Sequence, residues 1–198
     1  DLDDGHTERA HSDLLMIQDE LNRMQGIFAQ MLDFQRPVAY SSAPMDLNTI
    51  CDGVRVLMRK RLRDEGVNLE IDLADDLPQT CGDANQIKQI LINLVLNAAE
   101  AMGSTGGTVV LRTHTDRDQV LVMVEDDGPG IEPDHQIRLF EPLFTTKTRG
   151  LGLGLAISQE IAQRHGGSLR VASTLGEGTT FTLDLPIQEV CDGDYSGR

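Results

Sequence analysis

Leu14, Ile17, Leu21, Met24, Phe28 and Met31 follow one another at spacings of 3, 4, 3, 4 and 3. This is the a/d seam of a heptad repeat, narrower than the stripe of a helix lying on its own domain, and it predicts a bundle or dimer helix. Arg36–Pro44, RPVAYSSAP, ends that helix with two prolines and small polar residues, the composition of a hinge. Shorter periods follow. Asp46 is placed to cap a helix through LNTICDGVRVLMRKRLRDEG that Gly66 closes. Val67–Leu73 alternates as a strand, Pro78–Gly82 reads as a turn, and Asp83 caps a long helix to about Met102. GTVVLRTHT and QVLVMVED predict two paired strands around Asp116–Asp118, and a short helix is expected over Pro133–Leu139. LAISQEIAQRHGG is an amphipathic helix with a glycine stop, and SLRVAST and GTTFTLDLP make a hairpin around LGEG. The order is α-β-α-β-β-α-β-β, with strands in pairs. It predicts an α+β fold, a two-layer α/β sandwich with a mixed sheet, preceded by the bundle helix. The boundaries expected are a helix over 1–36, a hinge over 37–45, a compact domain over 46–187 and a loose tail over 188–198.

Composition narrows the function classes. The chain has 198 residues and is 39% hydrophobic, enough for a core, but with no Trp, two Tyr and five Phe that core is aliphatic. Lys+Arg 17 against Asp+Glu 32 gives 17 − 32 = −15. Such a charge argues against gripping nucleic acid or an anionic membrane. An anionic ligand would have to be held by local dipoles, glycines and a metal. Cys51, Cys81 and Cys191 are odd in number, far apart and in no CxxC pair, so free thiols in a reducing cytosol are expected. No apolar run reaches the roughly 18 residues of a membrane span, and no secretory signal pattern appears. The chain opens on Asp1, which suggests a fragment whose sensor or anchor lies elsewhere.

Three segments carry candidate chemistry. In ANQIKQILINLVLNAAEAM, Asn93 and Asn97 sit at i, i+4 beside an apolar face. Asn is a poor helix former, so two stacked amides need a reason. They either bond a neighbouring loop or meet a ligand or metal, an amide oxygen being a suitable hard ligand for Mg²⁺. In EDDGPGI, Asp126, Gly128 and Gly130 form a DxGxG pattern at a strand end. It is either a tight turn or a fixed carboxylate that accepts the exocyclic amine of adenine, with glycines that let backbone approach a flat ring. FEPLFTTKTRGLGLGLAI contains neither a Walker GK[ST] nor a glycine fingerprint directly after a strand. Its Gly150, Gly152 and Gly154 run straight into a helix, whose first N–H groups favour phosphate, and Lys147 and Arg149 are the nearby cations.

These segments, in this order, resemble the ATP-binding catalytic domain of two-component sensor histidine kinases, within the GHKL ATPase superfamily. NLVLNAAEA looks like the N box, DDGPGI the first glycine box, FEPLFTTK the F box, GLGLGLAI the second glycine box and GEGTTFTLDLP the final strand pair. The resemblance covers about Met45 to Ile187 and implies a mixed sheet on three helices, with ATP under a mobile lid. Residue by residue it implies Asn97 on Mg²⁺, Asn93 placing phosphates and Asp126 on adenine N6. Gly128, Gly130, Ile131 and Ala101 would line the base. Lys147, Thr148, Arg149, Gly150, Leu151, Gly152, Leu153, Gly154 and Leu155 would form the lid, and Thr179 or Thr180 would support the adenine side. Glu100 stands where many relatives carry a base, which removes one cation from the phosphate site.

Leu14–Arg36 is similar to the second helix of the family's dimerisation and phosphotransfer hairpin. That similarity implies a homodimer in the full-length protein, a response-regulator receiver domain as partner, and a cytoplasmic place, either free or as part of a membrane sensor. His6 and His11 do not lie one helix earlier, where the acceptor belongs, and His114, His135 and His165 fall inside the ATP domain, so the acceptor is expected outside this fragment. The expected activity is transfer of the ATP γ-phosphoryl group to that histidine. The alternatives are a GHKL-type ATPase or a nucleotide-binding interaction module without kinase activity.

Overall fold

Asp46 opens the first long helix, α1 (Leu47–Asp64), by accepting the backbone N–H groups of Asn48 at 2.8 Å and Thr49 at 3.4 Å. Leu47, Ile50, Cys51, Val54, Met58 and Leu62 recur every three or four residues and are all buried. Gly66, at φ 74°, turns the chain into β2 (Val67–Asp72). Asp83 repeats the capping device for α2 (Ala84–Met102) through Asn85 and Gln86. Ile87, Ile90, Leu91, Leu94 and Val95 of α2 are fully buried. At about 2 kcal/mol each, this stripe anchors the helix well beyond its intrinsic propensity.

A computed structural model describes residues 42–147, 150–188 and 191, together with Leu14. The heptad seam beyond Leu14, and His6 and His11, lie outside the described residues. The chain divides into two compact units, Asp1–Ala39 and Tyr40–Arg198, and the second holds both sheets.

The main sheet comprises β2, β4 (Gly107–Asp116), β5 (Gln119–Asp126), β6 (Ser168–Thr174) and β7 (Gly178–Pro186), in the order β2-β4-β5-β7-β6. β2 and β4 pair in parallel, with Leu69 opposite Val109, and the other neighbours are antiparallel. Two further α-helices among the described residues are α3 (Pro133–Gln136) and α4 (Gly154–Arg164). Period-2 alternation buries Val120, Val122 and Val124 of β5 and Leu183 and Leu185 of β7 on the face that α1, α2 and α4 cover. The expected two-layer sandwich, a mixed sheet on three helices, is the observed fold. No helix among the described residues is long and apolar enough to cross a membrane.

Three local expectations need correction. Thr80–Gly82 is a strand, β3, rather than part of a turn. It pairs antiparallel with β1 (Ala43–Met45), Pro44 opposite Cys81. Three-residue strands are too short to show a period. The helix expected over Pro133–Leu139 is a single turn ending at Gln136. Cys81 and Cys191 are joined in a disulfide with Cα atoms 5.3 Å apart, so neither is a free thiol, and residue 191 of the expected loose tail is covalently held. The cause is tertiary. Thr80 donates to the Pro186 carbonyl at 2.7 Å, which lays the chain leaving β7 beside β3. Cys51 is free and buried, and that burial pushes its thiol up to about 12.

Candidate functional site

A cavity of about 410 Å³ opens between α2, the β5–β7 end of the sheet and the segment before α4. α2 supplies Asn97, Glu100 and Ala101, which share a face at i, i+3 and i+4. The sheet supplies Asp126, Thr179 and Phe181. Asp126 and Thr179 lie directly opposite each other in the β5–β7 register. Ile131, Leu139, Leu155 and Leu175 make much of the remaining wall apolar, and Thr146 and Lys147 close the far side. A few convergent polar groups in an apolar cavity are the composition of a small-molecule site.

The turn after β5 is the tight Asp turn of the first reading, and it leaves Asp126 on the cavity wall. Gly128 N–H donates to Asp126 Oδ1 at 3.0 Å, the bond of a tight Asp turn, while the carboxylate still borders the cavity. Burial pushes the Asp126 carboxyl above its ordinary range. The Gly128 and Thr179 backbone groups pull against that rise, and Asp127 adds to it. Gly130 is demanded by the neighbouring chain: at φ 72° its Cβ would stand 2.2 Å from the Thr174 carbonyl oxygen. Ser173 ties these loops together. It accepts the Ile131 N–H at 2.8 Å and donates to the Gly178 carbonyl at 2.8 Å.

The α2 amides form a chain. Asn93 Nδ2 donates to Ser158 Oγ of α4 at 3.0 Å, and Asn97 Nδ2 reaches Asn93 Oδ1 at 3.5 Å. Asn97 Oδ1 is thereby turned toward Lys147, whose Nζ donates to it at 2.8 Å and to Glu100 Oε2 at 2.6 Å. The glycine-rich stretch is seated by close packing. Gly152, at φ 66°, leaves room for no Cβ beside the Phe144 carbonyl oxygen, 2.3 Å away, and its own carbonyl accepts the Leu143 N–H at 3.0 Å. A Cβ on Gly154 would lie 2.5 Å from Asn93 Oδ1, so this residue lets α4 start against the Asn helix.

Of the residues expected at the site, Asn97, Ala101, Asp126, Gly130, Ile131, Lys147, Leu155 and Thr179 border the cavity. Asn93, Gly128, Gly152 and Gly154 support them from behind. Thr180 pairs with Glu125 and does not line the cavity, nor do Gly150, Leu151 and Leu153. Thr148 and Arg149 lie outside the described residues. The sequence reading did not find Glu132, His135, Leu139, Leu175 or Phe181 on the wall, or Ser158 and Ser173 behind it. Only Phe181 carried a signal, as the residue two after Thr179 on the same strand face.

Residues 82–189, just over half of the chain, match the family model described as histidine kinase-, DNA gyrase B- and HSP90-like ATPase. Sporulation kinase E of Bacillus subtilis (strain 168) is 35% identical over 174 residues, 88% of this chain and 24% of that protein. The chain therefore spans about a quarter of that curated relative's length. The nucleotide-free catalytic domain of histidine kinase ThkA is similar at a TM-score of 0.68 and 32% identity, covering 74% of this chain and 96% of that one. ThkA in complex with the response regulator TrrA is similar at a TM-score of 0.73 and 29% identity, covering 87% of this chain and 50% of that one. With its mixed sheet on three helices and its cavity beside the Asn helix, the chain belongs to the histidine kinase-, DNA gyrase B- and HSP90-like ATPase family.

Proposed function

We propose that this chain is the ATP-binding catalytic part of a sensor histidine kinase. In this reading it positions ATP so that the γ-phosphorus forms a bond to a histidine nitrogen as the bond to the β-phosphate bridge oxygen breaks. The observation that carries the reading is Asp126: a partly buried carboxylate bordering an apolar cavity, with Asn97 and Lys147 on the opposing wall. That donor set fits adenine at the Asp126 end and phosphates at the Asn97 end.

Asp126 accepts the adenine amine and disfavours guanine, whose carbonyl oxygen it repels. Gly128, Gly130, Ile131, Ala101 and Thr179 support the base. Asn97 holds Mg²⁺, with Asn93 fixing its amide through the bond to Ser158. Mg²⁺ supplies charge neutralisation on the phosphate oxygens. Lys147 and Arg149, with Thr148 between them, add local positive charge in a −15 chain, and Gly150 to Leu155 seat the lid. Hydrolysis would need a carboxylate to activate water. α2 has one acidic residue, Glu100, which follows Asn97 by three residues, whereas the position one turn before Asn97 is an amide, Asn93. That favours phosphoryl transfer over an ATPase cycle.

The acceptor in this reading is a histidine on a bundle helix that the 1–36 segment joins as partner in a homodimer. A response-regulator receiver domain takes the phosphoryl group next, as the ThkA–TrrA complex suggests by analogy. In this reading the cavity works on the cytoplasmic side, where ATP is supplied. The test mixes the chain with γ-labelled ATP, Mg²⁺ and a separate hairpin protein bearing an acceptor histidine. Label on that histidine is expected. ATP binding with no transfer would refute the kinase reading, and no ATP binding would refute the nucleotide site itself.

A further inference from the structure

Lys147 and Glu100 meet across 47 residues of sequence, one from the loop before α4 and one from α2. Their 2.6 Å pair is partly sheltered, with the lysine side chain 35% exposed and the glutamate 46%. The same ammonium also covers Asn97 Oδ1 at 2.8 Å. The amide chain from Ser158 through Asn93 leaves Asn97 presenting its oxygen to this one partner. An ammonium and a divalent cation cannot share one amide oxygen at contact distance, because their like charges repel strongly in a partly dehydrated site.

We propose that Glu100 is a positioning residue that gates the metal end of the cavity. Acting through Lys147, it parks the lid lysine on Asn97 Oδ1. Loading of a nucleoside triphosphate with its metal must first break the Lys147–Glu100 pair, and the released ammonium then turns to the phosphates. The proposal rests on the nucleotide reading above and deepens it. One lysine serves as a lock on the metal ligand before loading and as a phosphate clamp afterwards. Glu100, which removes a cation from this helix, decides between the two positions.

Calorimetric binding of Mg·ATP to the chain, its Glu100→Gln and Lys147→Gln variants and the double variant tests this. Glu100→Gln is expected to bind about two- to fivefold tighter than the unaltered chain, the range a pair of this exposure allows. In the Lys147→Gln background, the same change is expected to do nothing. Without nucleotide, tryptic cleavage after Lys147 is expected to be faster in Glu100→Gln, since the loop loses its tether. Unchanged affinity or unchanged cleavage overturns the gate. Weaker binding makes Glu100 a metal ligand instead, and an equal gain in the Lys147→Gln background reduces its role to through-space repulsion; both outcomes also overturn the gate. If the unaltered chain binds no nucleotide, the nucleotide reading fails and the gate with it; binding without a gain in Glu100→Gln removes the gate alone.

Discussion

The His165 ring lies so close to Gly82 that a methyl group there would stand 2.3 Å from Cδ2 and 2.8 Å from Nε2. Nε2 accepts the Asp83 N–H at 2.9 Å, immediately before α2, while Nδ1 donates to the Ile161 carbonyl at 2.8 Å. One imidazole thus joins the start of α2 to the end of α4. Gly82→Ala must push that ring aside, and a loss of about 1–3 kcal/mol in urea unfolding is expected. A variant as stable as the parent would show that the contact relaxes without cost.

The same geometry fixes a pH dependence. Burial holds the His165 pKa below 6.5, against smaller opposing effects from the Ile161 carbonyl and Asp83. Its neutral form is the one that accepts the Asp83 N–H. The stability it lends is fully present above about pH 6.5 and is lost as pH falls toward the depressed folded value, because the unfolded chain then binds a proton that the folded chain refuses. Unfolding midpoints measured between about pH 7.5 and 5 are expected to fall more steeply for the parent than for His165→Gln. Parallel slopes would contradict this.

Asp126 has the opposite sign. Its folded pKa is raised, chiefly by burial, so the stability it lends is present below 3.8 and lost as pH rises through the folded value. At neutral pH the charge is therefore a cost to the fold, consistent with the adenine contact proposed above. Asp126→Asn keeps an oxygen for the Gly128 N–H. A thermal midpoint equal to or above the parent's is expected, with ATP affinity reduced at least about tenfold. Undiminished affinity would dismiss Asp126 as the adenine contact.

The Cys81–Cys191 bridge closes a loop of 110 residues that contains α2, both cavity-bearing strands and the Gly150–Leu155 stretch. Chain-entropy reasoning assigns such a loop up to about 4–5 kcal/mol. Reduced parent and Cys191→Ser are expected to melt several degrees lower than the oxidised chain, at matching midpoints. Cys51, buried and held as a thiol, is expected to leave that comparison unmoved. Identical midpoints with and without reductant would show that the bridge does not bear on stability.

The sequence made the long elements readable because α1, α2 and the β4–β5 hairpin each repeat their apolar period over many residues, and because Asp46 and Asp83 announce helix starts. Asp126 and Asn97, both on the cavity wall, carried a signal because each residue type is poorly suited to its local structure unless something else is gained. β1 and β3 were not readable, since three residues display no period. The bridge from Cys81, the Lys147–Glu100 pair and the Asn93–Ser158 bond were also hidden, because each joins residues far apart in the chain. The bond from the Asp83 N–H to His165 was hidden for the same reason.

β2 and β4 run side by side in the same direction, so the chain between them must return across the sheet, and α2 is the returning segment. Asn97, Glu100 and Ala101 are carried by a crossover that has its place only once both strands are paired. A half-assembled chain therefore lacks that wall of its cavity, and cavity formation and folding become a single equilibrium. Any ligand of the cavity acts as a folding chaperone for its own receptor, raising the melting point with each increment of concentration.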